Sequence, residues 1–378
     1  MKQVTFIHTA DLHLDAAFSS LGDENKARIR REELENCFSR ITEEVRTGNV
    51  DLFIISGDFF EDGYVKASTI LKARNLFSEL YRTEIVICPG NHDPLKENSY
   101  YKTSEWGGNV HILEDTDRVL YFEKYNTCIY NLGVKGNLQQ DYSALKNMDI
   151  SGDRVNLLVF HGTVDMPFEE DNYNPITSEA SFSLGMDYIA LGHTHRYFRI
   201  RNERTLMVNP GSPEPMGFDE EGEHGWVRGT VSLEEGGKSA EAQFIPCSAR
   251  QYHNYEIDIS DCSGDDQVIS RILSEGRIKL SAADLYSITL KGFIPVNYMP
   301  GIKNIVDALA RHCFFVKIKN QTSVQFEYER YLEEPGIKGE YVRRIMDMWE
   351  AESSQEKRET LFMALQYGLQ ALENGRVD

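Results

Sequence analysis

The chain has 378 residues, 60 of them acidic and 40 basic, and a formal charge of −20. That length exceeds what one core holds comfortably, so a second, smaller domain is expected. The acidic balance excludes a protein that coats nucleic acid through bulk positive charge, so any contact with DNA must be local, metal-bridged or shared with a partner.

Residues 4–9 read as a first strand, and the amphipathic pattern over 24–45, stopped by Gly48, reads as a long helix. A strand at 51–56, a helix at 67–81 and a strand at 84–88 complete a β-α-β-α-β unit, the building block of a parallel sheet with helices on its faces. Shorter strands follow at 118–122 and 127–131, then apolar strands at 155–160 and 188–191. Strands at 197–201 and 206–209 precede the turn-rich Pro210-Gly211-Ser212-Pro213-Glu214-Pro215, and a hairpin over 226–233 and 241–245 turns around Gly236-Gly237. Gly237-Lys238-Ser239 imitates the end of a phosphate-binding loop, but Ser232 stands where that motif needs a glycine, and a hairpin turn explains the segment better.

From about residue 252 the pattern becomes strand, helix, strand, helix, strand, at 254–259, 266–274, 285–290, 302–311 and 314–319. That content suits a small α+β domain with its own core. After Glu333-Glu334-Pro335-Gly336, helices are expected at 340–350 and 355–373, the second with Leu361, Leu365, Leu369 and Leu372 on one stripe. The expected domains are therefore 1–248, 249–332 and a helical segment 333–378.

Six cysteines without a paired spacing predict reduced structural thiols. The chain enters a strand at once, without a signal-like apolar stretch, and no window approaches the ~20 apolar residues that span a bilayer. A cytoplasmic protein with no membrane partner is the expectation.

Five strand ends carry metal-ligand side chains: Asp11-Leu12-His13, Gly57-Asp58, Gly90-Asn91-His92-Asp93, His161-Gly162 and Gly192-His193-Thr194-His195. Taken singly, Asp11 and His13 read equally as a helix cap and a surface histidine, and Gly57-Asp58 as turn chemistry. Jointly, each after a strand, they point to two divalent cations whose mutual repulsion a bridging carboxylate offsets, and Asp58 is the candidate bridge. Mixed carboxylate, amide and imidazole donors suit Mn²⁺ first, then Fe²⁺ or Zn²⁺, and the lack of cysteine ligands argues against a structural zinc site.

The order D-x-H, G-D, G-N-H-D, H, G-H-x-H resembles the calcineurin-like metallophosphoesterases. The longer stretches Phe6-Ile7-His8-Thr9-Ala10-Asp11-Leu12-His13-Leu14-Asp15 and Asn209-Pro210-Gly211-Ser212-Pro213-Glu214 resemble the DNA repair exonuclease branch of that family, the SbcD-type nucleases. The resemblance implies an α/β fold, a two-sheet sandwich flanked by helices, over about residues 1–248, followed by a small α+β capping domain and a helical C-terminal tail. It also implies that Asp11, His13, Asp58 and His195 hold one metal while Asp58, Asn91, His161 and His193 hold the other. His92 is then free to donate a proton toward the leaving oxygen as a hydroxide bridging the metals attacks phosphorus in line. By the same analogy Asp93 orients His92, the alternative being that it caps the turn before Pro94. Some nucleases of this branch carry a histidine three residues after the bridging aspartate, whereas this chain has Phe59, Phe60 and then Glu61.

Arg196, Arg199, Arg201 and Arg204 follow the last ligand motif and read either as a strip for a phosphodiester backbone or as solvated charges. Tyr64, Trp106, Phe168 and Tyr173 are candidates to stack on bases. The resemblance implies DNA ends, single- or double-stranded, as substrate and an SbcC-like coiled-coil ATPase as partner of the C-terminal helices, with a homodimer as the alternative. Three readings stay open: a DNA nuclease subunit, a hydrolase of small phosphodiesters or nucleotides, and a non-enzymatic assembly subunit.

Overall fold

In the computed structural model, strand β1 (Lys2–Thr9) runs straight into the loop that carries Asp11 and His13. The structure describes residues 2–114, 119–132, 150, 152–165, 173–234, 237–274, 278–296, 298–326 and 328–374. Helix α1 (Glu24–Thr47) starts where the Asp23 carboxylate accepts from the Asn25 and Lys26 amides, and it stops at Gly48. Its buried residues Ala27, Leu34, Phe38, Ile41 and Val45 keep helical spacing. Strand β2 (Leu52–Ser56), helix α2 (Ala67–Glu79), strand β3 (Glu84–Cys88), the short helix α3 (Tyr100–Thr103) and strand β4 (Val110–Ile112) follow.

A second series comprises β5 (Val119–Phe122), β6 (Thr127–Asn131), β7 (Val155–His161), helix α4 (Ser178–Ser183), β8 (Tyr188–Gly192), β9 (Phe198–Arg201) and β10 (Leu206–Asn209). The hairpin β11 (Gly225–Glu234) and β12 (Gly237–Pro246) returns to the first sheet, where β11 pairs antiparallel with β1. The sheets are thus β12-β11-β1-β2-β3-β4 and β5-β6-β7-β8-β10-β9, each with a parallel centre and antiparallel pairing toward an edge.

All residues of β2, β7 and β8 are buried, because each strand is covered on both faces. Val4, Phe6, Ile54 and Val86 of the first sheet meet Leu157, Val159, Tyr188 and Val208 of the second in one core. Removing each such side chain from water contributes ~1.5–3 kcal/mol, and together they fix the two sheets face to face. On the outer side of the first sheet, Phe38, Phe53, Phe59 and Phe77 pack edge to face or stacked under α1 and α2.

Beneath the strand ends, His8 links both sheets. Ser56 gives its single hydroxyl hydrogen to the Leu191 carbonyl at 2.7 Å, so His8 Nε2 must carry a proton to bond Ser56 Oγ at 2.7 Å, and Nδ1 accepts from the Tyr188 hydroxyl at 2.9 Å. Burial lowers the His8 pKa to about 3 against a weaker opposing bond from the ring to the Leu191 carbonyl. Below the ordinary value of about 6.5 the unfolded chain takes up a proton that the folded chain refuses until about pH 3. Stability from this group is therefore complete above pH 6.5 and declines on acidification by up to ~1.4 kcal/mol per pH unit. Urea unfolding at pH 7 and pH 5 should show a smaller loss for His8→Asn than for the native chain, and equal losses would exclude this account.

The segment after β10, read from sequence as turns, is an internal clamp. Glu214 is fully buried, accepts from Arg30 of α1 at 3.1 Å and from the Ala249 amide at 2.7 Å, and so ties the loop to the helix. None of the six cysteines is in a disulfide.

The chain divides into two units, Met1–Tyr252 and His253–Asp378. The second contains all but the first residue of β13 (Tyr252–Asp258), then α5 (Asp265–Ser274), β14 (Leu285–Lys291), β15 (Phe293–Pro295), α6 (Ile302–Leu309), β16 (Phe315–Asn320) and β17 (Ser323–Gln325). Its sheet runs β13-β14-β16, and β15 pairs with β17 as a separate short ladder. Those two strands have three residues each, too few for alternation to reveal them in a sequence. Helices α7 (Tyr328–Leu332), α8 (Ile337–Ala351) and α9 (Gln355–Asn374) close the unit. Leu365 and Leu369 of the leucine stripe are buried with Phe326, Tyr331 and Val342, so the expected break near residue 333 falls inside this second unit. Among the described residues no helix is long and apolar enough to cross a membrane.

Candidate metal centre

The loops after β1, β2, β3 and β8, and the last residue of β7, meet at the carboxyl ends of the parallel strands, the edge where open α/β sheets bind ligands. The first two loops run side by side, since the amides of Asp11, His13 and Leu14 donate to the carbonyls of Gly57, Asp58 and Phe59 at 3.0, 2.9 and 3.1 Å. Asp11, His13, Asp58 and His193 have φ of 51°, 43°, 49° and 92°, left-handed backbone that costs a side-chain-bearing residue about 1–3 kcal/mol and is held only by strong surroundings. Gly90 has to be glycine for room, because a Cβ there would overlap the Asp58 carboxylate.

Three overlapping groups bring ligand atoms within 4.8 Å of one another: Asp11, His13 and His195; His13, Asp58 and His92; and Asp58, His161 and His193. His13 Nε2 lies 3.2 Å from His195 Nε2 and 3.7 Å from Asp58 Oδ2. On the other side, Asp58 Oδ2 is 3.2 Å from His161 Nε2, and Asn91 Oδ1 is 3.0 Å from both His161 Nε2 and His193 Nδ1. Asp11 accepts from the His193 amide through both oxygens at 3.1 Å. The seven side chains proposed from sequence as ligands therefore stand close together, with Asp58 between two sets. Asp11, His13, Asp58 and His161 are each 2 % exposed or less.

The outer nitrogens of three rings show where their protons are. His161 Nδ1 donates to the Ser56 carbonyl at 2.8 Å, His195 Nδ1 to Glu220 at 2.7 Å and His13 Nδ1 to Glu61 at 3.1 Å. In the neutral rings this leaves every Nε2 as a lone pair aimed at other lone pairs, an arrangement that repels unless positive charge lies between. Without a cation, the site draws that positive charge onto the rings themselves. Burial opposes charge on His161, yet the Asp58 carboxylate raises its pKa to about 9. Burial likewise opposes charge on His195, and its bond to Glu220 raises it to about 10. Asp58, although burial works against its ionised form, is held below the usual carboxylate range by His161 and His13. Two divalent cations with mixed oxygen and imidazole donors fit this donor set.

His92 differs from the rings just described. Its side chain is 44 % exposed, its amide donates to Asp58 Oδ1 at 2.8 Å, and its Nδ1 meets Glu61 Oε1 at 2.9 Å, the contact that chiefly raises its pKa. Asp93, expected to orient this ring, does not touch it. Its carboxylate faces inward and accepts from the amides of Gly90 at 2.7 Å, Phe59 at 2.7 Å and Phe60 at 3.1 Å, and from the Tyr101 hydroxyl at 2.5 Å. Four donors on one buried carboxylate hold the β2 and β3 loops together, while burial and the nearby Asp58 charge push its pKa up to about 7. The turn alternative describes Asp93 better, and the carboxylate beside His92 is Glu61.

Glu220 and the Ser56 carbonyl were not anticipated. Glu220 lies in an acidic run, Asp219-Glu220-Glu221, that reads as solvated loop, and a backbone carbonyl leaves no trace in a sequence. Of the basic strip, Arg196 bonds the Asp219 carbonyl, Arg201 the Ala240 carbonyl and Glu241, and Arg204 lies 4.0 Å from Asp187, which reduces the charge it offers a ligand. Tyr173 stands 5.8 Å from the His161 ring and 5.6 Å from that of His193, Tyr64 is 58 % exposed, and Trp106 packs inward on Phe77 and Tyr101. Phe168 lies outside the described residues.

The model of the calcineurin-like phosphoesterase family matches residues 4–197, which contain all five ligand-bearing loops. The chain belongs to this family. As a member of the calcineurin-like phosphoesterases it is 27 % identical to an uncharacterized metallophosphoesterase, YhaO, of Bacillus subtilis over 248 residues, 62 % of this chain and 60 % of that protein. It is 29 % identical to the DNA double-strand break repair protein Mre11 of Methanopyrus kandleri over 305 residues, 73 % of this chain and 64 % of that protein. Identity to a component of the nuclease SbcCD from Staphylococcus epidermidis is 24 % over 230 residues, 52 % of this chain and 58 % of that protein. The chain thus spans about three fifths of the length of these curated relatives.

Proposed function

We propose that the chain is a Mn²⁺-dependent phosphodiesterase whose substrate is DNA, acting as the nuclease subunit of an assembly like SbcCD. The observation that carries this reading is the convergence of imidazole nitrogens, two aspartates and an amide oxygen, with the outward nitrogens of three rings held by Glu61, Glu220 and the Ser56 carbonyl. Asp11, His13, Asp58 and His195 would hold one cation, and Asp58, Asn91, His161 and His193 the other. When bound, such a pair supplies Lewis acidity and an activated water at neutral pH. The protein's part is to keep these donors fixed before substrate arrives, which the buried, left-handed loops do, and to place His92 at the open side. From there its Nε2 can hand a proton or hydrogen bond to the leaving oxygen of a phosphodiester.

Relatives named as a DNA double-strand break repair protein and as a subunit of the nuclease SbcCD favour DNA as substrate and a partner subunit. The second unit offers a surface for such a partner, since Ile337, Met348 and Tyr367 on α8 and α9 are more than half exposed. One observation favours small phosphodiesters instead: a net charge of −20 with much of the arginine strip engaged internally. The deciding experiment is Mn²⁺-dependent hydrolysis of labelled single- and double-stranded oligonucleotides beside cyclic and linear dinucleotides. The nuclease reading predicts faster turnover of the oligonucleotides. Turnover confined to dinucleotides would replace it with the second reading.

A further inference from the structure

Glu61 stands three residues after Asp58, and its carboxylate lies between two imidazoles. Each carboxylate oxygen serves a different ring: Oε2 accepts from His13 Nδ1 at 3.1 Å and Oε1 meets His92 Nδ1 at 2.9 Å. The two rings stand edge to face, centroids 4.8 Å apart. The backbone repeats the connection, for the Glu61 amide donates to the Leu14 carbonyl at 3.1 Å and the Asp62 amide to the His92 carbonyl at 3.0 Å. Phe59 and Phe60 anchor the segment from below, Phe59 stacked on Phe77 and Phe60 against Tyr101. The Glu61 side chain is only 21 % exposed.

We propose that Glu61 is a positioning residue that ties a metal ligand, His13, to His92, fixing both imidazoles as the Nδ1–H tautomer and aiming both Nε2 atoms into the site. The role of His92 in this statement rests on the reading under Proposed function; the pairing itself does not. The chemistry requires a carboxylate. A neutral histidine at position 61 has one acceptor nitrogen and can serve one ring. A glutamine has one acceptor oxygen, and its amide nitrogen only donates, so one of the rings must reverse its tautomer or lose its partner. Outer-sphere carboxylates of this kind typically alter metal affinity or activity by ~10–100-fold when replaced.

The test compares the native chain with Glu61→Gln and Glu61→His, each checked for native unfolding temperature. Long-range ¹H–¹⁵N spectra of the histidine rings, without added metal, should show Nδ1–H at both His13 and His92 in the native chain and a changed tautomer at one or both in each variant. Calorimetric titration with Mn²⁺ alone should show affinity reduced ~10–100-fold, and oligonucleotide hydrolysis a similar fall in kcat with KM within about twofold. Unchanged ring spectra together with an unchanged Mn²⁺ isotherm in both variants would overturn the proposal. A native chain that hydrolyses no oligonucleotide would refute the nuclease reading, and the spectra and the isotherm would still decide the role of Glu61.

Discussion

Replacing Asp58 with alanine is expected to remove hydrolysis altogether and to reduce bound Mn²⁺ from two ions per chain to one or none. Asp58 belongs to two of the three ligand groups, lies 3.2 Å from His161 and 3.7 Å from His13, and is 1 % exposed. Without its charge the remaining donors toward the second cation are neutral imidazoles and an amide, and nothing between the two ions offsets their repulsion. Losing one Lewis acid of a pair costs several kcal/mol of transition-state stabilisation, so a fall of at least ~10³-fold is expected. Asp58→Asn, which keeps the shape and still accepts from the His92 amide, should behave almost as badly, because the effect is one of charge. Metal content measured on the purified protein and turnover measured beside it provide the check. Two bound ions with activity within about tenfold of the native chain would remove Asp58 from the bridging position.

His92→Ala is expected to act on the chemistry and leave the metals in place. Its side chain is 44 % exposed, the most open ring at the rim, and its Nδ1 is engaged by Glu61. General acid assistance of this kind contributes ~10²–10⁴-fold, so kcat should drop by that factor on DNA, whose leaving group is an alkoxide in need of a proton. On a diester with an activated phenol as leaving group the same substitution should matter far less, since that oxygen departs unaided. Mn²⁺ stoichiometry should remain that of the native chain. If the variant instead loses a metal ion, His92 is a ligand of the group it shares with His13 and Asp58, and the acid role fails. If it retains both ions and full activity on DNA, the rim needs no acid from this position.

Much of this architecture is written locally. An apolar run followed by a turn and a ligand residue can be read at five places, because burial on both faces of a parallel strand demands continuous apolar sequence and the loop chemistry follows directly. The helical spacing of α1 and the leucine stripe of α9 are local for the same reason. The order of the ligand loops, and the predominance of oxygen and imidazole donors in them, were thus legible from the residues alone.

What the residues around those ligands do was decided by the tertiary structure. His13 meets a carboxylate 48 residues away, and His8 reaches Tyr188 across 180 positions. Glu61 and Asp93 show the limit most clearly. Both are acids near His92, one adjacent in sequence and one 31 residues off, and the distant one makes the contact. Asp93 is drawn inward because the turning β2 and β3 loops leave three buried amides and the Tyr101 hydroxyl to be satisfied, and an adjacent carboxylate does so at lower cost than leaving them bare. The sequence alone determined which side chains are available at the rim and in what order they arrive. Only the packing of two sheets determined which carboxylate holds each imidazole, because hydrogen-bond partners follow distance in space, and an apolar pattern carries no record of that distance.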